Sequence, residues 1–108
     1  MRKGLVCMSK VGGKQASMGL YQTILKLRDE EECYKFFQDL CTVSELRAME
    51  QRYDVAVLLK KGMIYNDILK ETGASSATIS RVNRALNYGY NGYQEVLGRL
   101  FPDEKEGQ

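Results

Sequence analysis

The stretch IYNDILKETGASSATISRVNRALNYG, Ile64 to Gly89, leaves the chain few ways to fold. Ile64 and Ile68 repeat at helical spacing with Leu69 beside them, so the pattern predicts a short helix with one apolar side from Ile64 to Thr72. Gly73 ends it, because glycine accepts the left-handed backbone of a tight exit, and Ala74 is small enough to tuck between two crossing helices. Ser75 or Ser76 then caps a second helix, along which side chains step round the axis by about 100° per residue. Ile79, Val82 and Leu86 fall on one stripe of it, and Ser76, Ala77, Ser80, Arg81 and Arg84 on the opposite side. The expected element is a helix-turn-helix with one face for packing and one for contact.

The chemistry of the contact face suits the major groove of double-stranded DNA. Short hydroxyl and methyl side chains let the backbone approach base edges, while guanidinium groups reach guanine or phosphate. The plainer alternative is an αα-hairpin whose polar side faces water. Charge distribution bears on the choice. The net charge is +2, but residues 1–19 carry Arg2, Lys3, Lys10 and Lys14 and no acid, so the rest of the chain is slightly acidic. Within that remainder Lys60, Lys61, Lys70, Arg81 and Arg84 outweigh Asp67 and Glu71. A local basic patch on a mildly acidic body permits DNA binding without general adhesion to nucleic acid. The patch is modest, and tight binding calls for two copies.

A chain of 108 residues makes one small domain, of a size that gains stability by oligomerising. Apolar residues at 44% and charged ones at 28% describe an ordinary globular protein. No apolar run is long enough to span a bilayer and no secretory signal is evident, so a cytoplasmic setting away from membranes is expected. Cys7, Cys33 and Cys41 lack metal-ligand pairing and histidine is absent, which argues against a metal site and against histidine-based catalysis. There is also no glycine-rich phosphate loop, and no serine or cysteine beside a plausible base. No enzyme, and no catalytic residue, is expected. Cys33 and Cys41 read as small buried hydrophobes.

Along the chain, Met1 to Gly19 has scattered glycines, serines and lysines without periodicity and is expected to be a flexible basic segment. Leu20, Ile24 and Leu27, with Tyr21 and Leu25 alongside, predict a helix over Leu20 to Arg28. Asp29 caps the next, whose acidic first turn, Glu30 to Glu32, complements the helix dipole and whose buried side is Cys33, Phe36, Phe37 and Leu40. Thr42-Val43-Ser44-Glu45 matches a capping box opening a long helix that ends near Lys61, with Gly62 as its stop. Leu46, Met49, Tyr53 and Val57 form one stripe, and Val55, Leu58 and Leu59 spread round the other side. A helix apolar nearly all round must be covered by more than one neighbour, and a second copy could be one of them. A last helix, Gly92 to Phe101, presents Tyr93, Val96, Leu97, Leu100 and Phe101 and stops at Pro102. Asp103 to Gln108 is a polar, acidic tail.

The run LCTVSELRAMEQRYDVAVLLKKGMIYNDILKETGASSATISRVNRALNYG, Leu40 to Gly89, resembles the Trp repressor pattern in order and spacing. The likeness rests on the threonine-led capping box, on Arg52, on the basic residue and glycine before the helix pair, and on GA-x-x-AT-I-[ST]-R across the turn. With LYQTILKLRDEEECYKFFQDL upstream, the chain is similar to the YerC/YecD group of Trp-repressor-like proteins over Leu20 to Phe101. The resemblance implies an all-α, intertwined homodimer with a helix-turn-helix, whose two reading heads meet a palindromic operator and repress by occupying a promoter. It places Ser75, Ser76, Ala77 and Ser80 where Trp repressor approaches bases and backbone. Asn66 and Leu69 stand where that repressor's first reading helix carries basic contacts. Leu69 cannot replace a cation, so affinity or site preference should differ from Trp repressor.

The same resemblance puts Arg52 and Arg81 where two arginines flank an indole, and Thr42 near the ligand carboxylate, as an effector pocket. Val82 stands in place of a glycine and Ala85 in place of a serine that helps hold the ligand. Valine adds bulk beside the slot, and alanine removes a polar partner for the ligand's amino group. L-tryptophan is therefore not the expected corepressor, while another small molecule, or none, is left open. Two functional readings stand: a transcriptional regulator binding DNA as a homodimer, or a protein-interaction module that keeps the helix pair without reading DNA.

Overall fold

The computed structural model describes residues 18–102, together with the backbone of two short strands ahead of them. The strands β1 (Lys10–Val11) and β2 (Lys14–Gln15) pair antiparallel, Lys10 opposite Gln15 and Val11 opposite Lys14. Six helices follow among the described residues: α1 (Met18–Ile24), α2 (Glu30–Leu40), α3 (Val43–Lys60), α4 (Tyr65–Thr72), α5 (Ser76–Tyr88) and α6 (Gly92–Leu100). The fold is all-α, as expected. Apart from the strands and the first turn of α1, the basic segment over residues 1–19 lies outside the described residues, as does the acidic tail beyond Pro102. The chain divides into two compact units, Met1–Thr42 and Val43–Gln108.

In the first unit, α1 is shorter than its periodicity suggests. After Ile24 the backbone tightens, with Lys26 N–H donating to the Thr23 carbonyl (2.9 Å) and Leu27 N–H to that of Ile24 (3.1 Å), the i to i+3 pattern of a closing turn. Asp29 caps α2 as expected, its carboxylate accepting from Glu32 N–H at 2.9 Å. Glu32 reaches back in turn and accepts from Arg28 N–H at 2.9 Å, so two orphan donors are satisfied by reciprocal contacts. The expected buried side of α2 is not buried in the single chain. Cys33, Phe36 and Phe37 are half-buried and Leu40 is 50% exposed. The phenyl rings of Phe36 and Phe37 meet edge to face, 5.5 Å between centroids. Neither α1 nor α2 contains a buried residue.

The second unit has a closed core. Val55 and Ala56 of α3, Ile68 of α4, Ala74 of the turn, Ile79, Val82 and Leu86 of α5 and Leu97 of α6 are buried together. Val57, Leu58, Leu59, Met63, Leu69, Tyr93 and Phe101 pack against them. The later half of α3 is thus covered by α4, α5 and α6 of its own chain, which answers why it is apolar on several sides. α3 begins at Val43, directly after Thr42, where the capping box places it. It ends in a Schellman arrangement: Gly62, at φ 89, donates to the Leu59 carbonyl and Met63 to that of Leu58, both at 3.0 Å. Two expectations fail here. Tyr53, assigned to the apolar stripe, is 42% exposed, and Ile64, assigned to the packed side of the first reading helix, is its N-cap and 63% exposed. Ile68 alone is fully buried from α4, because a helix of two turns offers the core a single inward position.

Candidate nucleic-acid interface

The turn between α4 and α5 is built from local chemistry. Gly73 takes φ 74 and ψ 7, the left-handed conformation that an L side chain resists, and donates to the Leu69 carbonyl at 2.9 Å. Ala74, 1% exposed, plugs the crossing point. Ser75 is the N-cap of α5, its hydroxyl accepting from Thr78 N–H at 3.1 Å. The two serines left open by the sequence are thereby separated: Ser75 caps, and Ser76 starts the helix. Thr72 is a contributor that sequence reasoning missed. Its hydroxyl donates to the Ile68 carbonyl (2.7 Å) and accepts from Ala74 N–H (3.0 Å), and its carbonyl accepts from Gln51 Nε2 at 3.3 Å. Gln51 thus ties the turn to α3. A Thr-Gly pair hints at the first two contacts, but nothing local signals the third.

α5 divides into two faces. Ile79, Val82 and Leu86 are buried, while Ser76, Ala77, Ser80, Arg81 and Arg84 are all exposed. By helical geometry Ala77 and Arg84 stand opposite the buried stripe, flanked by Ser80 and Arg81. On α4, Asn66 and Lys70 are exposed, as is Ser75 in the turn. The ion pair formed among the described residues joins Lys35 to Glu31 at 3.7 Å on α2, and among those residues Lys70, Arg81 and Arg84 have no acidic partner at ion-pair distance. Cations held this way keep their charge available to a polyanion.

Of the residues assigned to an effector pocket, Thr42 directly precedes α3, and Arg52 on α3 and Arg81 on α5 are both exposed. One groove, about 520 Å³, is walled by Tyr53, Ala85, Tyr90, Tyr93, Val96 and Leu97 and is almost wholly apolar. The other, about 390 Å³, is lined in part by Asp54 and Glu71. Val82 is a core residue, 2% exposed. Among the described residues no group of three His, Cys, Asp or Glu side chains is placed to hold a metal, and no helix is long and apolar enough to cross a membrane.

An all-α helix-turn-helix unit, capped, cross-tied and cationic on its outward face, defines the class of protein. Residues 16–101 match the family described as Trp repressor protein, and the chain belongs to that family, one of helical DNA-binding regulators and not of enzymes. It is 48% identical over 99 residues to the YerC protein of Bacillus subtilis (strain 168), covering 92% of this chain and 94% of that one. The crystal structure of a TrpR-like protein from Eubacterium eligens ATCC 27750 superposes with a TM-score of 0.73 at 52% identity, over 76% of this chain and 84% of that one. A second crystal structure, from Staphylococcus aureus, gives a TM-score of 0.73 at 49% identity, over 76% and 82% of the two chains.

Proposed function

We propose that the protein is a sequence-specific transcriptional regulator that acts in the cytoplasm as a repressor, binding a palindromic operator as a homodimer. The observation that carries this reading is the outward face of α5, where short side chains at Ser76, Ala77 and Ser80 lie beside unneutralised Arg81 and Arg84. Ser76, Ala77 and Ser80 read base edges; Ser75, Asn66, Lys70, Arg81 and Arg84 contact the backbone or flanking bases. Two copies are supported by the first unit, whose α1 and α2 leave Leu20, Tyr21, Leu25, Tyr34 and Leu40 exposed, and by the apolar groove beside α6. An apolar surface of that extent is suited to a symmetric partner of the same sequence. Ala85 offers no polar group to an amino acid's ammonium, so L-tryptophan is not the corepressor proposed for it.

The test is retention of sheared genomic DNA by the purified full-length protein over a salt series. A regulator of this kind retains a restricted set of fragments, with affinity falling steeply as salt rises. Retention of none at low salt would favour the protein-interaction module instead.

A further inference from the structure

One edge of α5 carries a feature that the two-faced description leaves unused. Ser76, Ser80, Asn83 and Asn87 succeed one another at helical spacing, so the two asparagines continue the line of the small hydroxyl residues toward the end of the helix. Asn87 Nδ2 donates to the Asn83 carbonyl at 2.9 Å and to Asn83 Oδ1 at 3.1 Å. A backbone carbonyl only accepts, so the Asn87 atom that meets it is the nitrogen, and the Asn83 atom facing that nitrogen is the oxygen. The Asn83 carboxamide is therefore turned one way, with its NH2 directed away from Asn87 and without a hydrogen-bond partner among the described residues. Asn83 is also half-buried, which narrows its choice of rotamers.

The outward edge of Asn83 thus presents its donors. Bidentate reading of adenine aims a donor and an acceptor together at one base edge, and here Oδ1 is turned to Asn87. A phosphate oxygen only accepts, and neutral amide donors are among its ordinary partners. We propose that Asn83 donates to a phosphate oxygen of the DNA backbone beside the groove, and that Asn87 is a positioning residue that fixes the Asn83 amide for this contact. The inference rests on the DNA-binding reading of α5 and adds to it a contact that carries no charge.

The test uses full-length protein and fluorescence anisotropy with two labelled duplexes: one enriched from a random pool by the unmodified protein, and a scrambled duplex of equal length, each over a salt series. Asn83→Ala should weaken binding to both duplexes by about tenfold, as expected for a hydrogen bond to a charged group. The dependence on salt should be unchanged, because a neutral donor displaces no counterion, whereas Arg84→Ala should make it shallower. Asn83→Asp keeps the shape of the side chain but sets a negative charge against the phosphate, and should lose more than Asn83→Ala. Asn87→Leu should cost about threefold, and the double variant should bind no more weakly than Asn83→Ala alone, since Asn87 acts through Asn83. The proposal is overturned if Asn83→Ala stays within twofold of the unmodified protein, if its loss is confined to the enriched duplex, or if the two substitutions simply add. Absence of binding by the unmodified protein would remove the DNA-binding reading and this proposal together. A failure of the asparagine variants alone would leave that reading standing.

Discussion

The two units of this chain bury their apolar residues to very different extents. In Val43–Gln108 four helices close over Val55, Ala56, Ile68, Ile79, Val82 and Leu97, and each helix finds its cover within the chain. In Met1–Thr42 the helices α1 and α2 are well formed and Asp29 caps α2 through Glu32 N–H, yet neither contains a buried residue. Local signals thus make a helix in either place, whereas only long-range complementarity makes a core. Under the proposed function the difference separates two tasks: the second unit would hold a reading surface rigid, and the first would offer apolar surface for a second chain to cover.

The largest effect should come from the closed core. Ile68→Ala or Ile79→Ala removes a fully buried side chain and should cost about 2–5 kcal/mol. Chemical denaturation followed by far-ultraviolet circular dichroism measures this loss. The next effect concerns the open unit. Leu25 is 83% exposed, so in an isolated chain Leu25→Asp should change stability by no more than about 0.5 kcal/mol. If the surface is shared between two copies, the same substitution should instead lower the dimer mass seen in sedimentation and lower the thermal midpoint. A variant that stays dimeric and unfolds at the parental temperature would break the proposed division of tasks.

Smaller effects test the turn. Gly73→Ala meets no neighbouring atom but keeps φ 74, and should cost about 1–2 kcal/mol from backbone strain alone. At Gly89 the reason for glycine is different. Its φ is −90, but an added Cβ would run into the carbonyl of Ala85, so Gly89→Ala must shift the end of α5. Thermal unfolding should rank both variants below the parent. Smallest is Glu32→Ala, which frees Arg28 N–H at an exposed helix start and should cost about 0.5–1 kcal/mol.

These contrasts also mark how far the sequence could be read. Gly73, Ala74, a serine cap at Ser75 or Ser76 and the stripe of Ile79, Val82 and Leu86 were legible because each follows from the conformational preference of a residue or from a period of about 3.6. The Gln51 to Thr72 bond was not, since its partners lie 21 residues apart and no local pattern joins them. Periodicity also marks which side of α2 is apolar without saying what covers it, so Cys33, Phe36, Phe37 and Leu40 were expected to be buried and are not. Tyr53 and Ile64 mislead for a related reason. Both match an apolar period, but Tyr53 walls an open groove and Ile64 sits ahead of the first turn of α4. The exposed face of α5 was legible by subtraction, because the residues assigned to it are those left over after the buried stripe.

That face is what the proposed function depends on, and Ser80→Glu addresses it most directly. Ser80 is exposed and lies off the buried stripe, so the substitution should leave folding unchanged while setting a carboxylate where the groove would be. Binding of the variant and of the unmodified protein to a duplex enriched by the latter should differ by complete loss in the variant, at matched circular dichroism and oligomeric state. Equal affinity for that duplex would contradict the placement of α5 against DNA.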